Sequence, residues 1–197
     1  MIYFDYHTHK NKPFSCKSCT VENLNQISKT LEGQTFSLQF HPWHIPDKYE
    51  NLPPEFIETA KSDKIYAIGE IGLDRLKGAP LDIQREYFKE LLNLADDLKK
   101  PVILHVVRCA DEVLHILKQY PALPKIWHGF RGKKELLERI LKANIFVSLH
   151  PSMLDNNEIM NYIKIHTEYH AKIGLESDDS NIDIKELYQS FKEKIYG

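Results

Sequence analysis

Short, nearly continuous apolar runs alternate along the chain with longer stretches in which apolar residues recur every three or four positions. The runs fall at residues 2–6, 35–40, 65–68, 102–104, 125–127, 145–149 and 172–175. Several are apolar throughout, not alternating, as in a parallel strand covered on both faces. Thr20 is placed to cap a helix whose Val21, Leu24, Ile27 and Leu31 share one face, with Gly33 as its stop. Pro53 and Pro54 open a short helix through Phe56 and Ala60. The longest predicted helix covers 81–98, with Ile83, Tyr87, Phe88, Leu91, Leu92, Ala95 and Leu98 as its stripe. Others are predicted over 111–119, 134–142, 157–167 and 184–195. Strand–helix alternation with short connections predicts an α/β domain built on a parallel sheet. Seven units are visible, one fewer than a (β/α) barrel needs, and a doubly wound sheet satisfies the same alternation.

Composition narrows the class. A length of 197 residues predicts one domain over 1–197. Hydrophobic residues make up 42% and charged residues 27%, enough for a packed core and against a disordered chain. Lys and Arg number 26 against 28 Asp and Glu, a net charge of −2. A polyanionic ligand must therefore be held by local groups or by metal, not by a field of one sign. Three cysteines cannot frame a disulfide scaffold of this size, which predicts a reducing, cytoplasmic location. The N-terminal residues do not read as a signal peptide, no apolar run is long enough for a membrane span, and no obligate protein partner is evident.

Histidine is the outlier, with 10 residues, and several sit where predicted strands end. His7 and His9 alternate on the first run, so they emerge on the same side. Glu70 follows the third run, His105 the fourth, His128 the fifth, and Asp178 the last. In a parallel barrel the C-terminal strand ends share one rim, where active sites are built. Four imidazoles and two carboxylates are too many for one tetrahedral zinc and suit two divalent ions that share a carboxylate. A lone histidine after a strand is usually only hydrogen-bonded, and H-x-H is common by chance. The coincidence across five strands favours metal.

Six segments carry a resemblance to a known family. They are Phe4-Asp5-Tyr6-His7-Thr8-His9, Phe40-His41-Pro42-Trp43-His44, Ile68-Gly69-Glu70-Ile71-Gly72-Leu73-Asp74, Lys100-Pro101-Val102-Ile103-Leu104-His105, His128-Gly129-Phe130-Arg131-Gly132 and Leu175-Glu176-Ser177-Asp178. In content and order they resemble the TatD family of metal-dependent hydrolases. The resemblance implies a TIM-like barrel, two divalent ions (Mg, Mn, Zn, Co or Fe) and a phosphodiester substrate, usually the 3′ end of DNA. It implies that His7, His9 and Asp178 hold one ion and His105 and His128 the other, with Glu70 bridging. Family members are longer, and the strand–helix unit between H-x-H and H-P-W-H is not visible here. The expectation is a shortened barrel of about seven units, incomplete or open on that side.

The implied reaction is attack by a metal-bridging hydroxide, with Glu70 and Asp178 as catalytic residues and Asp178 as the general base. His41 and His44 are candidate donors to phosphate or leaving group, and Arg108 and Arg131 candidate phosphate contacts. Glu176 is expected to orient a ligating histidine, Asp5 to brace the first strand and Asp74 to organise the loop after Glu70. Cys16 and Cys19 read as an incidental loop pair, and His150 as a weak site candidate. Other readings are a metal-dependent hydrolase of another ester, amide or phosphomonoester, and a non-catalytic metal-binding remnant.

Overall fold

A computed structural model of the chain describes residues 3–27 and 29–197. Among the described residues, eight strands form a closed barrel in chain order: β1 (Asp5–Thr8), β2 (Ser15–Cys19), β3 (Thr35–Leu38), β4 (Ile65–Asp74), β5 (Val102–Val107), β6 (Lys125–Phe130), β7 (Phe146–Leu149) and β8 (Ile173–Leu175). The fold is thus the predicted TIM-like barrel, not a doubly wound sheet. Seven α-helices are present among the described residues: α1 (Val21–Asn25), α2 (Pro54–Lys61), α3 (Leu81–Asp97), α4 (Ala110–Leu117), α5 (Lys134–Lys142), α6 (Asn157–Ile165) and α7 (Ile184–Tyr196). Two short 3₁₀ turns, Pro151–Asp155 and Thr167–Lys172, flank α6.

The expectation of an open side is corrected. What is missing is a helix, not a strand: β1 passes to β2 through residues 9–14 with no helix between them. The sequence hid β2 because Ser15-Cys16-Lys17-Ser18-Cys19 is neither apolar throughout nor rich in branched residues. Cys16 and Cys19 are buried strand residues rather than a loop pair. The helix expected after Thr20 is also shorter. Thr20 does cap it, accepting from the Asn23 N–H at 3.2 Å, but α1 ends at Asn25. Part of that expected helix, Ser28, lies outside the described residues, as does residue 2 of the first predicted run.

The chain packs as two compact units: Met1–Lys17, Leu31–Gln34 and Trp127–Gly197 in one, Ser18–Thr30 and Thr35–Ile126 in the other. In the first, β1 pairs with β8 (Asp5 with Leu175) and β8 with β7, while α5 buries Leu137, Ile140 and Leu141. In the second, β4 lies between β3 and β5. The α3 stripe buries Tyr87, Phe88, Leu91, Leu92 and Ala95, as its period predicts. No helix among the described residues is long and apolar enough to cross a membrane.

The β4–β5 pairing explains the spacing of the two glycines around Glu70. A Cβ on Gly69 would stand 2.5 Å from the Ile103 carbonyl oxygen, and one on Gly72 would stand 2.0 Å from that of His105. Both glycines have φ in the range that side chains rarely adopt, +154° and +147°. The register slips between Gly69 and Ile71, so Glu70 is the bulged residue, and a bulge re-aims a side chain. Gly72→Ala is accordingly expected to destabilise the fold by on the order of 3 kcal/mol, read as a fall in the urea midpoint, because backbone has to move.

Candidate metal centre

In the first unit, β1 sends His7 and His9 the same way, as a strand must. Their Nε2 atoms lie 3.3 Å apart, and they stand 3.9 and 3.7 Å from Asp178 Oδ1. His7 is fully buried, and Asp178 is 17% exposed at its side chain. All three ligand atoms lie within 4.8 Å of one another. Asp178 is set by backbone: its N–H donates to the His7 carbonyl at 3.0 Å, and the Thr8 hydroxyl donates to its own carbonyl at 3.2 Å. Its φ of +49° turns the chain away just past β8. Arg131, exposed, brings Nη2 to 3.6 Å from Asp178 Oδ2, so this predicted phosphate contact pairs with the predicted base.

Behind these groups is a second layer. Asp5, fully buried, accepts from the Ser177 N–H at 2.9 Å and its hydroxyl at 2.6 Å. Lys12 donates to the Ser177 hydroxyl at 2.9 Å. Asp5 therefore ties β1 to the residue before Asp178, and burial raises its pKa against those hydrogen bonds. His128 Nδ1 stands 3.4 Å from Glu176 Oε1, and its ring centroid is 4.4 Å from that of His7. Glu176 is fully buried. Burial alone would raise its pKa, but the charge and hydrogen bond of His128, with His7 beyond, outweigh it and hold the group below the usual carboxylate value.

In the second unit, Glu70 Oε2 stands 3.6 Å from both His41 Nε2 and His105 Nδ1, which are 3.3 Å from each other. Glu70 is 3% exposed, and the Ser18 hydroxyl donates to its other oxygen at 3.4 Å. His105 turns Nε2 toward Asp74 Oδ2 at 3.3 Å, which leaves Nδ1 facing Glu70. That Asp74 oxygen also accepts from the Trp43 indole at 2.6 Å, and its partner oxygen takes the backbone N–H groups of Leu76 (2.8 Å) and Lys77 (3.2 Å). Asp74 thus organises its loop, as expected, and also orients His105, a role the sequence reading did not assign. Simple strand alternation does not signal it, because the register slip between Gly69 and Ile71 interrupts the period at Glu70.

His41 is different in kind. Its Nδ1 accepts from the Trp43 N–H at 3.2 Å, so the neutral ring carries its proton on Nε2, the atom that faces Glu70. Burial lowers its pKa from 6.5. His44 is exposed, its ring centroid 5.7 Å from that of His41 and outside the triad. Arg108 is exposed with φ +52°, and its carbonyl accepts from Arg75 Nε at 3.1 Å. His150 caps the 3₁₀ turn that follows β7, where its Nδ1 accepts from the Ser152 N–H.

The donor chemistry can be weighed for a divalent ion. At His7, His9 and Asp178, two ring nitrogens and a carboxylate oxygen converge within 4.8 Å of one another. That trio fits a cation. At Glu70 and His105 a carboxylate oxygen and an Nδ1 face each other, with the N–H of His41 as donor beside them. That group also fits a cation, through Glu70 and His105.

A parallel barrel carrying clustered histidines and carboxylates within and just past its strands defines a class, the metal-dependent hydrolase barrels. Comparison with known proteins makes it specific. The model of the family described as TatD related DNase matches residues 5–183, so the chain belongs to that family. An uncharacterized metal-dependent hydrolase of Bacillus subtilis is 32% identical over 131 residues, 64% of this chain and 51% of the relative. The deoxyribonuclease Tat-D of Schizosaccharomyces pombe is 33% identical over 108 residues, 52% of this chain and 35% of that protein. The chain spans about half, or less, of the length of these relatives. Among solved structures, a TatD homologue from Escherichia coli superposes with a TM-score of 0.76 at 20% identity, covering 98% of this chain and 90% of the other.

The lowered pKa of His41 has a sign. Its folded value lies below the unfolded one, so its contribution to stability is complete above pH 6.5 and is lost as pH falls below that. In metal-free protein, His41→Gln is expected to flatten the fall in unfolding free energy between about pH 6.5 and pH 5, measured by urea titration at several pH values.

Proposed function

We propose that this chain is a divalent-metal-dependent phosphodiesterase that removes nucleotides from the 3′ end of DNA. The observation that carries the reading is the convergence of His7 Nε2, His9 Nε2 and Asp178 Oδ1 within 4.8 Å of one another, in a chain of this family. A relative from Pantoea, 33% identical over 114 residues and matched over 43% of its length, is called a 3′-5′ ssDNA/RNA exonuclease, which supports the substrate class. In this reading His7, His9 and Asp178 would hold one divalent ion, and Glu70 and His105 would hold another. Divalent ions at such sites supply a nucleophile from water near neutral pH and offset charge on phosphate.

The chain's own groups do the remaining work. Asp178 takes the proton that the attacking water gives up, since its carboxylate stands beside both His7 and His9. Arg131 stands at the opposite oxygen and helps to orient that carboxylate. Neutral His41 holds its proton on Nε2 and donates it as a hydrogen bond to a phosphate oxygen or to the leaving 3′ oxygen. Asp74 fixes the tautomer of His105, and Glu176 fixes the ring of His128. These assignments explain how a protein of net charge −2 handles a polyanion: positive charge is supplied locally.

With Mn²⁺, Mg²⁺, Co²⁺ or Zn²⁺ supplied, the purified protein is expected to shorten single-stranded DNA bearing a free 3′ hydroxyl, and EDTA to stop it. Glu70→Gln is expected to lower kcat/KM by on the order of 10²–10³-fold while leaving the thermal midpoint nearly unchanged in EDTA. No cleavage of DNA or RNA with any of the four metals rules the nuclease reading out.

A further inference from the structure

One cavity of about 290 Å³ lies wholly within the second unit, enclosed by Thr20 and α1, the loop after β3 and the first turn of α2. Buried Ile45 and Phe56, with half-buried Phe40, form an apolar floor, and the exposed side chains of Glu22, Glu55 and His44 form the rim. His41 belongs to this lining and also to the Glu70–His105 group. Whatever is held at Glu70 and His105 therefore has the cavity one side chain away.

We infer that this cavity is a subsite for the terminal nucleobase of the strand, selecting bases with an exocyclic amino group over thymine. The inference rests on the phosphodiesterase reading for the source of its ligand, but the cavity's own chemistry sets the class. Its volume is at the lower edge of the roughly 300–1,000 Å³ of small-molecule sites, which suits a single ring system and not a dinucleotide. The lining contains two carboxylates and no lysine or arginine, so it does not suit a phosphate. Nor does it suit a cation alone, since the metal-ligating clusters among the described residues include neither Glu22 nor Glu55. Phe40 and Phe56, with centroids 5.1 Å apart edge to face, offer aromatic contact to a flat ring. A carboxylate accepts from the amino group of cytosine or adenine, and the same position in thymine is a carbonyl oxygen that it repels. Glu22 is held below the ordinary carboxylate pKa by its own backbone N–H and by the Thr20 hydroxyl, so it remains an acceptor.

The test begins without metal. Folded protein in EDTA is titrated with deoxycytidine, deoxyadenosine, thymidine and deoxyribose, followed by NMR shifts and calorimetry. Deoxycytidine and deoxyadenosine are expected to bind roughly tenfold tighter than thymidine, and deoxyribose not at all. Glu22→Gln and Glu55→Gln should each shrink that ratio, and Val21→Trp should block binding, with circular dichroism confirming the fold. Equal binding of the three nucleosides, ratios unmoved by both Gln variants, or no nucleoside binding overturns the subsite. The metal-loaded protein is then given single-stranded DNA ending in C, T or an abasic residue. Cleavage at equal rates overturns the subsite and leaves the nuclease reading standing. Nucleoside binding with no cleavage of any strand does the reverse.

Discussion

Two carboxylates buried in the protein interior set the terms for everything around them. Glu70 and Glu176 are 3% and 0% exposed, and an ionised carboxylate removed from water costs several kcal/mol unless its neighbours compensate. In each case the neighbours are imidazoles. His41 and His105 flank Glu70 in one unit, and His128 and His7 stand by Glu176 in the other. Imidazole compensates as a hydrogen-bond donor, as a cation, or by sharing a metal ion. The choice of histidine over arginine is what leaves these interiors able to take a metal, because guanidinium has no lone pair to offer.

The second constraint is rigidity around those groups. A ligand set works only if its members are held before the ion arrives, and here the holding is done by backbone and by buried polar pairs. Asp178 is fixed through the His7 carbonyl and Thr8, and its predecessor Ser177 is fixed by Asp5. Glu70 is presented by a bulge whose flanking glycines let β4 approach β5 closely. His105 is aimed by Asp74, which the Trp43 indole and two backbone N–H groups anchor in turn. Gln84 on α3 adds to this, accepting from the Asp74 N–H at 2.7 Å and donating to the Asp74 and Ala79 carbonyls.

The economy of the chain lies between β1 and β2. Parallel neighbours ordinarily need a crossover of a dozen or more residues, usually helical. Here residues 9–14 make the connection, and Asp5 still pairs with Ser15 and Thr8 with Lys17, with a register slip between them. The barrel closes without the helix because β2 supplies the ladder. Buried Cys16 and Cys19 give that strand its apolar contacts in place of branched residues.

The amino-acid sequence by itself determined which residue types accompany which strands, since that follows from apolar period and local spacing; the strands β4, β5 and β6 run on through Glu70, His105 and His128. His7 and His9 share a side because a strand repeats every two residues, and the α3 stripe was legible because a helix repeats every 3.6. Tertiary structure decided the rest. The β2 strand is invisible in a segment of serines and cysteines, since its conformation comes from ladder pairing and not from propensity. The assignment of His41 as a proton-bearing neighbour of Glu70 depends on the Trp43 N–H reaching its Nδ1, and that of Asp74 as the partner of His105 depends on β4 lying beside β5. Local pattern places a side chain on a face. Only the packing of distant strands decides what it faces, and so which nitrogen carries the proton.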